Sequence, residues 1–287
     1  MRPRIIALLG SLTAGTLLAA CSGGGSGASL SPSASVQPAS VTGMKMSVRI
    51  PGKQTSSALR SPRFVSTSTN GIGVSYGASP ATFPNPATPN AAFDVSSTSA
   101  LCTANGDGSR TCTFTIPAPP GTDDIQVSAW DGVPSGGAFT GDQLLSQQTV
   151  TGQSIVAGQQ NALAFVLNGV VNSIHLDLSP ATLAAEAPNS ATETATLNVY
   201  AKDADGNIIL GSGNFSDANG NPLTITLTQA GVNGSAVQTT LSATTVTPTT
   251  GPITVSYSGG TTNGTIISAN PSSAIAGAND SATLTIH

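Results

Sequence analysis

Turn signals break this chain about every eight to twelve residues, and the runs between them alternate with a period of two. Leu223-Thr-Ile-Thr-Leu-Thr228 alternates most cleanly. Ile125, Val127 and Ala129 face away from Gln126 and Ser128, and Ile174, Leu176 and Leu178 share one side of another run. Thr, Val and Ile fill these runs, and their branched side chains suit a pleated surface better than a helix. Charged residues make up only 8% of the chain and aromatic ones 4%. No stretch after the N-terminus carries a convincing amphipathic helical pattern. The expectation is an all-β chain of sandwiches.

The N-terminus reads differently. Met1-Arg2-Pro3-Arg4 is basic, and Ile5 to Ala20 carries no charge but is interrupted by Gly10, Ser11, Thr13, Gly15 and Thr16. Such a run is short and weak for a membrane-spanning helix and has the form of a secretory signal. Its ending, Leu18-Ala19-Ala20-Cys21, resembles the lipobox of bacterial lipoproteins. That resemblance implies cleavage before Cys21, a diacylglycerol on its thiol and an acylated new amino terminus. Acyl chains at about 0.8 kcal/mol per buried methylene would hold the chain on a membrane. Residues 22–40 are mostly Ser, Gly, Pro and Ala with no charge, a composition expected to form a flexible tether spanning roughly 25 Å. Ser22 rather than Asp follows the cysteine, which in that family favours the outer membrane over the inner one.

Four segments follow: signal peptide 1–20, lipidated tether 21–40, a first sandwich over 41–169 and a second over 170–287. The first begins with a strand at Val41 to Val48 and has short candidates at Arg63–Ser66, Gly73–Tyr76 and Ala92–Val95. Leu163 to Leu167 reads as its final strand. Ile116-Pro-Ala-Pro-Pro-Gly followed by an alternating strand to Trp130 resembles the corner of prealbumin-like and carboxypeptidase-regulatory-like domains. In the second half, Ala195–Ala201, the turn Lys202-Asp-Ala-Asp-Gly-Asn207 and a returning strand at Ile208–Leu210 resemble bacterial immunoglobulin-like repeats. Both resemblances imply tandem Ig-like β-sandwiches.

Cysteine arithmetic agrees with export. With Cys21 taken by lipid, Cys102 and Cys112 remain and flank Asn105-Gly-Asp-Gly108, a turn that places them on facing strands. A disulfide closing so short a loop stabilises by roughly 2–3 kcal/mol in the chain-entropy model.

Charge is uneven. Lys45, Arg49, Lys53, Arg60 and Arg63 precede the first acid, Asp94, and only Arg110 and Lys202 follow among the acids. A basic base beside a membrane could meet anionic headgroups, or it is a solvated strand and loop. The acidic, aromatic-poor remainder argues against nucleic-acid binding.

Catalytic patterns are poor. His175 alternates within a strand, His287 is the other histidine, and no nucleophile-elbow motif accompanies them. Paired acids in an aromatic-lined cleft, as a glycosidase needs, are not evident. Asp203, Asp205 and Asn207, with Asp217, Asn219 and Asn221 nearby, place oxygens at alternate positions as calcium loops do. Yet Ile208 and Asn214 stand where an EF-hand has glycine and glutamate. Asp or Asn before Gly is equally what tight turns need, so neither metal nor other cofactor is expected. Trp130-Asp131-Gly132 beside Ser135-Gly-Gly-Ala-Phe139 is the best candidate ligand-binding patch. Exposed, the tryptophan would stack on a sugar or a partner; buried, it would be core. The functional expectation is a lipid-anchored, non-enzymatic envelope protein for adhesion or ligand binding. Its partners would be the membrane, through Cys21, and a glycan or envelope protein. A structural spacer or assembly partner is the alternative, and a secreted hydrolase comes third.

Overall fold

The computed structural model describes residues 43–52, 65–163, 165–185, 192–211, 213–260 and 263–287. The expected lipobox and tether, and the candidate strand residues 41–42 and 63–64, lie outside them. Regular structure in the described residues is strand, apart from one 3-10 turn at Val232–Gly234.

The first half contains β1 (Met44–Ile50), β2 (Gly71–Ala78), β3 (Ala91–Asp94), β4 (Cys102–Ala104), β5 (Arg110–Ile116), β6 (Gly121–Trp130), β7 (Leu144–Ile155), β8 (Asn161–Ala162) and β9 (Asn168–Val170). A four-stranded sheet runs β4-β5-β1-β8, and a seven-stranded one includes β9-β7-β6-β2-β3. They face each other across an apolar core. Met44, Met46, Val48, Ile50, Phe114 and Ile116 point in from one sheet; Ile72, Val74, Ile125, Val127 and Ala129 point in from the other. Strand β1 alternates buried and exposed at every residue, because period two sends Lys45, Ser47 and Arg49 outward. Each fully buried aliphatic side chain stabilises by about 1.5–3 kcal/mol relative to exposure.

The second half contains β10 (Ser173–Ser179), β11 (Thr182–Leu183), β12 (Glu193–Lys202), β13 (Phe215–Ser216), β14 (Pro222–Leu223), β15 (Ile225–Gly231), β16 (Thr239–Leu241), β17 (Thr245–Val246), β18 (Ile253–Tyr257), β19 (Thr265–Pro271) and β20 (Ser281–Ile286). Sheets β10-β12-β18-β16 and β11-β20-β19-β15-β17 close on Leu176, Leu197, Val255 and Tyr257 from the first, and Ile225, Leu227, Ile267 and Leu284 from the second. The chain is therefore all-β, with two sandwich cores.

Three local results depart from the sequence reading. In Leu163 to Leu167 the described residues, 163 and 165–167, are not strand; β8 and β9 lie on either side of them. Ile208 to Leu210 returns as isolated bridges, Ile208 with Lys202 and a further one at Leu210, and not as a strand. Strands β13 and β14, from the second half of the sequence, join the seven-stranded sheet of the first: Phe215 pairs with Gly169 and Ser216 with Val170. The first two runs looked like strands because they are apolar, but Leu163 and Leu167 fill the first core from irregular backbone. Ile209 packs against Gly169, where a Cβ would stand 2.3 Å from its Cγ2.

Candidate functional site

Strand β6 is buried on both faces from Asp123 to Trp130. Its inner face is the apolar row Ile125, Val127, Ala129. The outer face carries Gln126, Ser128 and Trp130, opposite Ser75, Gly73 and Gly71 of β2. On the other side Gln147 of β7 stands opposite Ser128. A polar row expected at a solvated surface is covered.

The cover comes from loops. Residues 131–142 leave β6 and fold back over it. Their base is fastened where Asp131 N donates to Gln143 O (3.1 Å) and Asp131 Oδ1 accepts from Gln143 N (2.7 Å). At the apex Phe139 N donates to Ala87 O of the proline-rich 83–90 loop at 2.9 Å. The Phe139 ring lies parallel to that of Trp130, with centroids 5.1 Å apart and planes 4° from coplanar. Gly71 makes room for it, since a Cβ there would stand 2.3 Å from Phe139 Cε1; at Gly73 the distance to Cε2 would be 3.1 Å. The glycines are required by that approach rather than by their backbone angles.

Trp130 is thus only 4% exposed, and the ring face expected to meet a partner is occupied by Phe139. Its Nε1 donates to Ser128 Oγ at 2.9 Å, and Ser128 Oγ donates to Gly73 O at 3.3 Å. Beside this aromatic pair sits an underused set of amides. Among the described residues, Gln126 Oε1 and both Gln147 Oε1 and Nε2 are buried without a hydrogen-bond partner. The Asp217–Asn221 turn closes over Gln147, whose Nε2 would stand 2.5 Å from a Cβ on Gly220. Sequence reasoning missed Gln126 and Gln147. Alternation places Gln126 on a polar face, and nothing local announces that it and Gln147 are buried.

The candidate calcium residues form turns. Asp203 Oδ1 accepts from Asp205 N (3.1 Å) and Asn207 N (2.8 Å), and Asn207 Nδ2 reaches both carboxylate oxygens at 3.3 Å. Asp217 Oδ1 accepts from Asn219 N and Asn221 N in the same way, at 2.9 Å each. Gly206 and Gly220 have φ of 78° and 81°, which only glycine adopts freely. Asn105-Gly-Asp-Gly-Ser109 repeats the design, with Asn105 N donating to Ser109 O and Gly108 at φ 78°. These lone pairs face N–H donors, as an Asx-turn requires. Among the described residues, no three metal-ligating side chains converge. Burial pushes the Asp203 carboxyl up from its ordinary value, against the pull of hydrogen bonds from Ser66 and Asn207.

His175 lies on the exposed side of β10, with Nδ1 2.7 Å from Asp280 Oδ2 and its ring stacked near Tyr200. The same Asp280 oxygen accepts from Leu176 N at 3.4 Å, so this pair blunts a sheet edge. Asp280 is held below its ordinary value: partial burial works against ionisation, but the Leu176 N–H, His175 and the Ser281 N–H outweigh it. Asp124 of β6, opposite the Thr151–Gly152 bulge of β7, ties that bulge to the loop after β2 by accepting from Gly152 N and Ala81 N at 2.8 Å each. Cys102 and Cys112 are directly opposed on β4 and β5 and joined as a disulfide.

The chain is similar to the solved structure of the Yersinia pseudotuberculosis adhesin InvE, at 12% identity and a TM-score of 0.28, over 85% of this chain and 58% of that one. It is also similar to a β-glycosidase from Bacteroides vulgatus, at 9% identity and a TM-score of 0.29, over 84% of this chain and 24% of that one. The chain thus spans little more than half of the first and about a quarter of the second. No family model matches it, and no curated protein does.

Proposed function

We propose that this is an exported lipoprotein that displays two β-sandwiches on the cell envelope as a non-enzymatic binding or adhesion module. The observation that carries the reading is Leu18-Ala19-Ala20-Cys21 followed by a charge-free tether. A lipidated cysteine at the head of such a segment serves to hold what comes after it beside a membrane. The disulfide between β4 and β5 fits an oxidising compartment, and outer-membrane placement accords with Ser22. A charge-poor all-β unit with a covered aromatic and unpaired amides has the chemistry of a binder more than of a catalyst.

The test uses the full chain. The protein should take up an alkyne-labelled fatty acid and fractionate with membranes, and Cys21→Ser should abolish both. The soluble Cys21→Ser protein should then bind glycan-coated or envelope-derived surfaces saturably. Membrane association that survives Cys21→Ser without label would overturn the anchor, and absence of binding on every surface would favour a spacer.

A further inference from the structure

We infer that the outer face of the seven-stranded sheet is a carbohydrate-binding strip, with Trp130 as stacking platform, Gln126, Ser128 and Gln147 as hydroxyl-reading groups, and Phe139 holding the place of a sugar ring. The inference rests on the binding-module reading above and names its ligand class.

Three observations converge. First, a buried amide without partners is costly, and natural proteins keep few. Here three such amide atoms, on Gln126 and Gln147, flank one serine on a single face. Second, the aromatic beside them already stacks on a coplanar six-membered ring, over a floor that Gly71 and Gly73 keep free of side chains. Third, the ring is supplied by a loop and not by a strand of the sheet. Residues 131–142 are tied at their base through Asp131, which pairs with Gln143 and accepts from Asn70 Nδ2 at 2.8 Å, and at the apex by Phe139 N donating to Ala87 O. A sugar reaching Trp130 requires this loop to swing aside while β6 stays in place.

The chemistry selects the ligand. A pyranose presents a C–H face that packs on an aromatic ring and a rim of hydroxyls that pair with amides. From Gln126 to Trp130 the outer row of β6, with its β2 partners and Gln147, carries no charge, which favours a neutral glycan over an acidic one. A sugar ring displacing Phe139 would recover the stacking and bring hydroxyls to Gln126, and to Gln147 once the Asp217–Asn221 turn that closes over it also gives way.

Trp130 is the only tryptophan, so its emission reports on this strip alone. The full chain carrying Cys21→Ser would be titrated with cellohexaose, mannohexaose and chitohexaose. The expected result is a saturable change in emission with at least one of them. Gln147→Ala should weaken it about tenfold, the loss of one hydrogen-bonded contact to a sugar hydroxyl. Phe139→Leu, which removes the stacked ring but keeps an apolar side chain, should bind more tightly because no ring has to be displaced. If neither the parent protein nor Phe139→Leu responds to any of the sugars, the strip is a closed structural layer and the inference falls. Surface binding that persists with unchanged Trp130 emission and no effect of Gln147→Ala would sink this inference while leaving the binding-module reading intact. A sugar response, with a parent protein that takes up no fatty-acid label, would leave this inference standing and remove only the lipid anchor.

Discussion

Asn207 Nδ2 lies 3.0 Å from Ser66 Oγ across 141 residues of sequence, so a turn of the second half is fastened to a loop of the first. The same amide reaches Ser68 Oγ at 3.1 Å, and Asn207 Oδ1 accepts from Thr67 Oγ1 at 3.1 Å. Val65, immediately before this loop, is part of the first core. Replacing Asn207 with alanine removes all three bonds and is expected to destabilise the protein by about 1–3 kcal/mol. Urea unfolding followed by Trp130 emission and by far-ultraviolet circular dichroism should then give separated transitions. Coincident curves with an unmoved midpoint would show that the fastening carries no energy.

The same junction should respond to acid. Burial raises the Asp203 carboxyl, so the folded protein binds this proton more tightly than the unfolded chain. Its contribution to stability is present below the ordinary carboxylate value and is lost as pH rises through the raised one. Carbon-13 titration of the side chain should find Asp203 protonating at higher pH than Asp107. The opposite order would contradict the burial argument.

Asp107 moves the other way, down to about 2, held first by the Ser109 hydroxyl and its backbone N–H and then by Arg49. Here the folded form favours the carboxylate, so the stabilising effect exists above the ordinary value and disappears as pH falls through about 2. Ser109→Ala, which keeps the backbone N–H, should move the titration part of the way back to normal, and Arg49→Gln should do so to a smaller extent. Equal effects would reverse the assigned order of causes.

Gly71→Ala tests the packing under Phe139. The added methyl would also stand 2.5 Å from Gly132 O, so either the ring or the backbone has to shift. A loss of about 1–3 kcal/mol, typical of overpacking, should accompany a red shift of Trp130 emission and easier quenching by iodide. Unchanged emission would mean the ring does not lie where it is described.

Much of this was legible in the sequence, and the part that was not has a common physical cause. Met44, Met46, Val48 and Ile50 announce β1 by alternation, and two cysteines astride Asn-Gly-Asp-Gly announce the disulfide hairpin. These are local signals. Gln126 and Ser128 alternate as surface residues do, yet lie buried, in a face where a loop stacks Phe139 on Trp130 and a turn from the second half lies on Gln147. No window around Gln147 contains Gly220. The pairing of Phe215 with Gly169 escaped for the same reason, since two-residue strands have no period of their own.

Removing the disulfide gives a stability test that does not touch the covered strip. Cys102→Ser with Cys112→Ser is expected to cost about 2–3 kcal/mol, from the lost constraint on the unfolded chain. Because Cys112 is fully buried in the first core, Cys112→Ala should cost less than Cys112→Ser when each is paired with Cys102→Ala. Thermal unfolding under non-reducing conditions would check both, and an unaltered midpoint would mean the bond constrains little.

The seven-stranded sheet has a bearing on how such a chain could have arisen. Strand β9 straddles Gly169 and Val170, and its outer partner β13 is encoded more than forty codons downstream. A gene segment ending at Gly169 would deliver a sheet with one flank of backbone donors and acceptors left open, a site for faulty pairing. A segment beginning at Val170 would carry a hairpin with no sheet to join. Recombination that traded either half alone would split this sheet, so the two halves behave as one exchangeable unit.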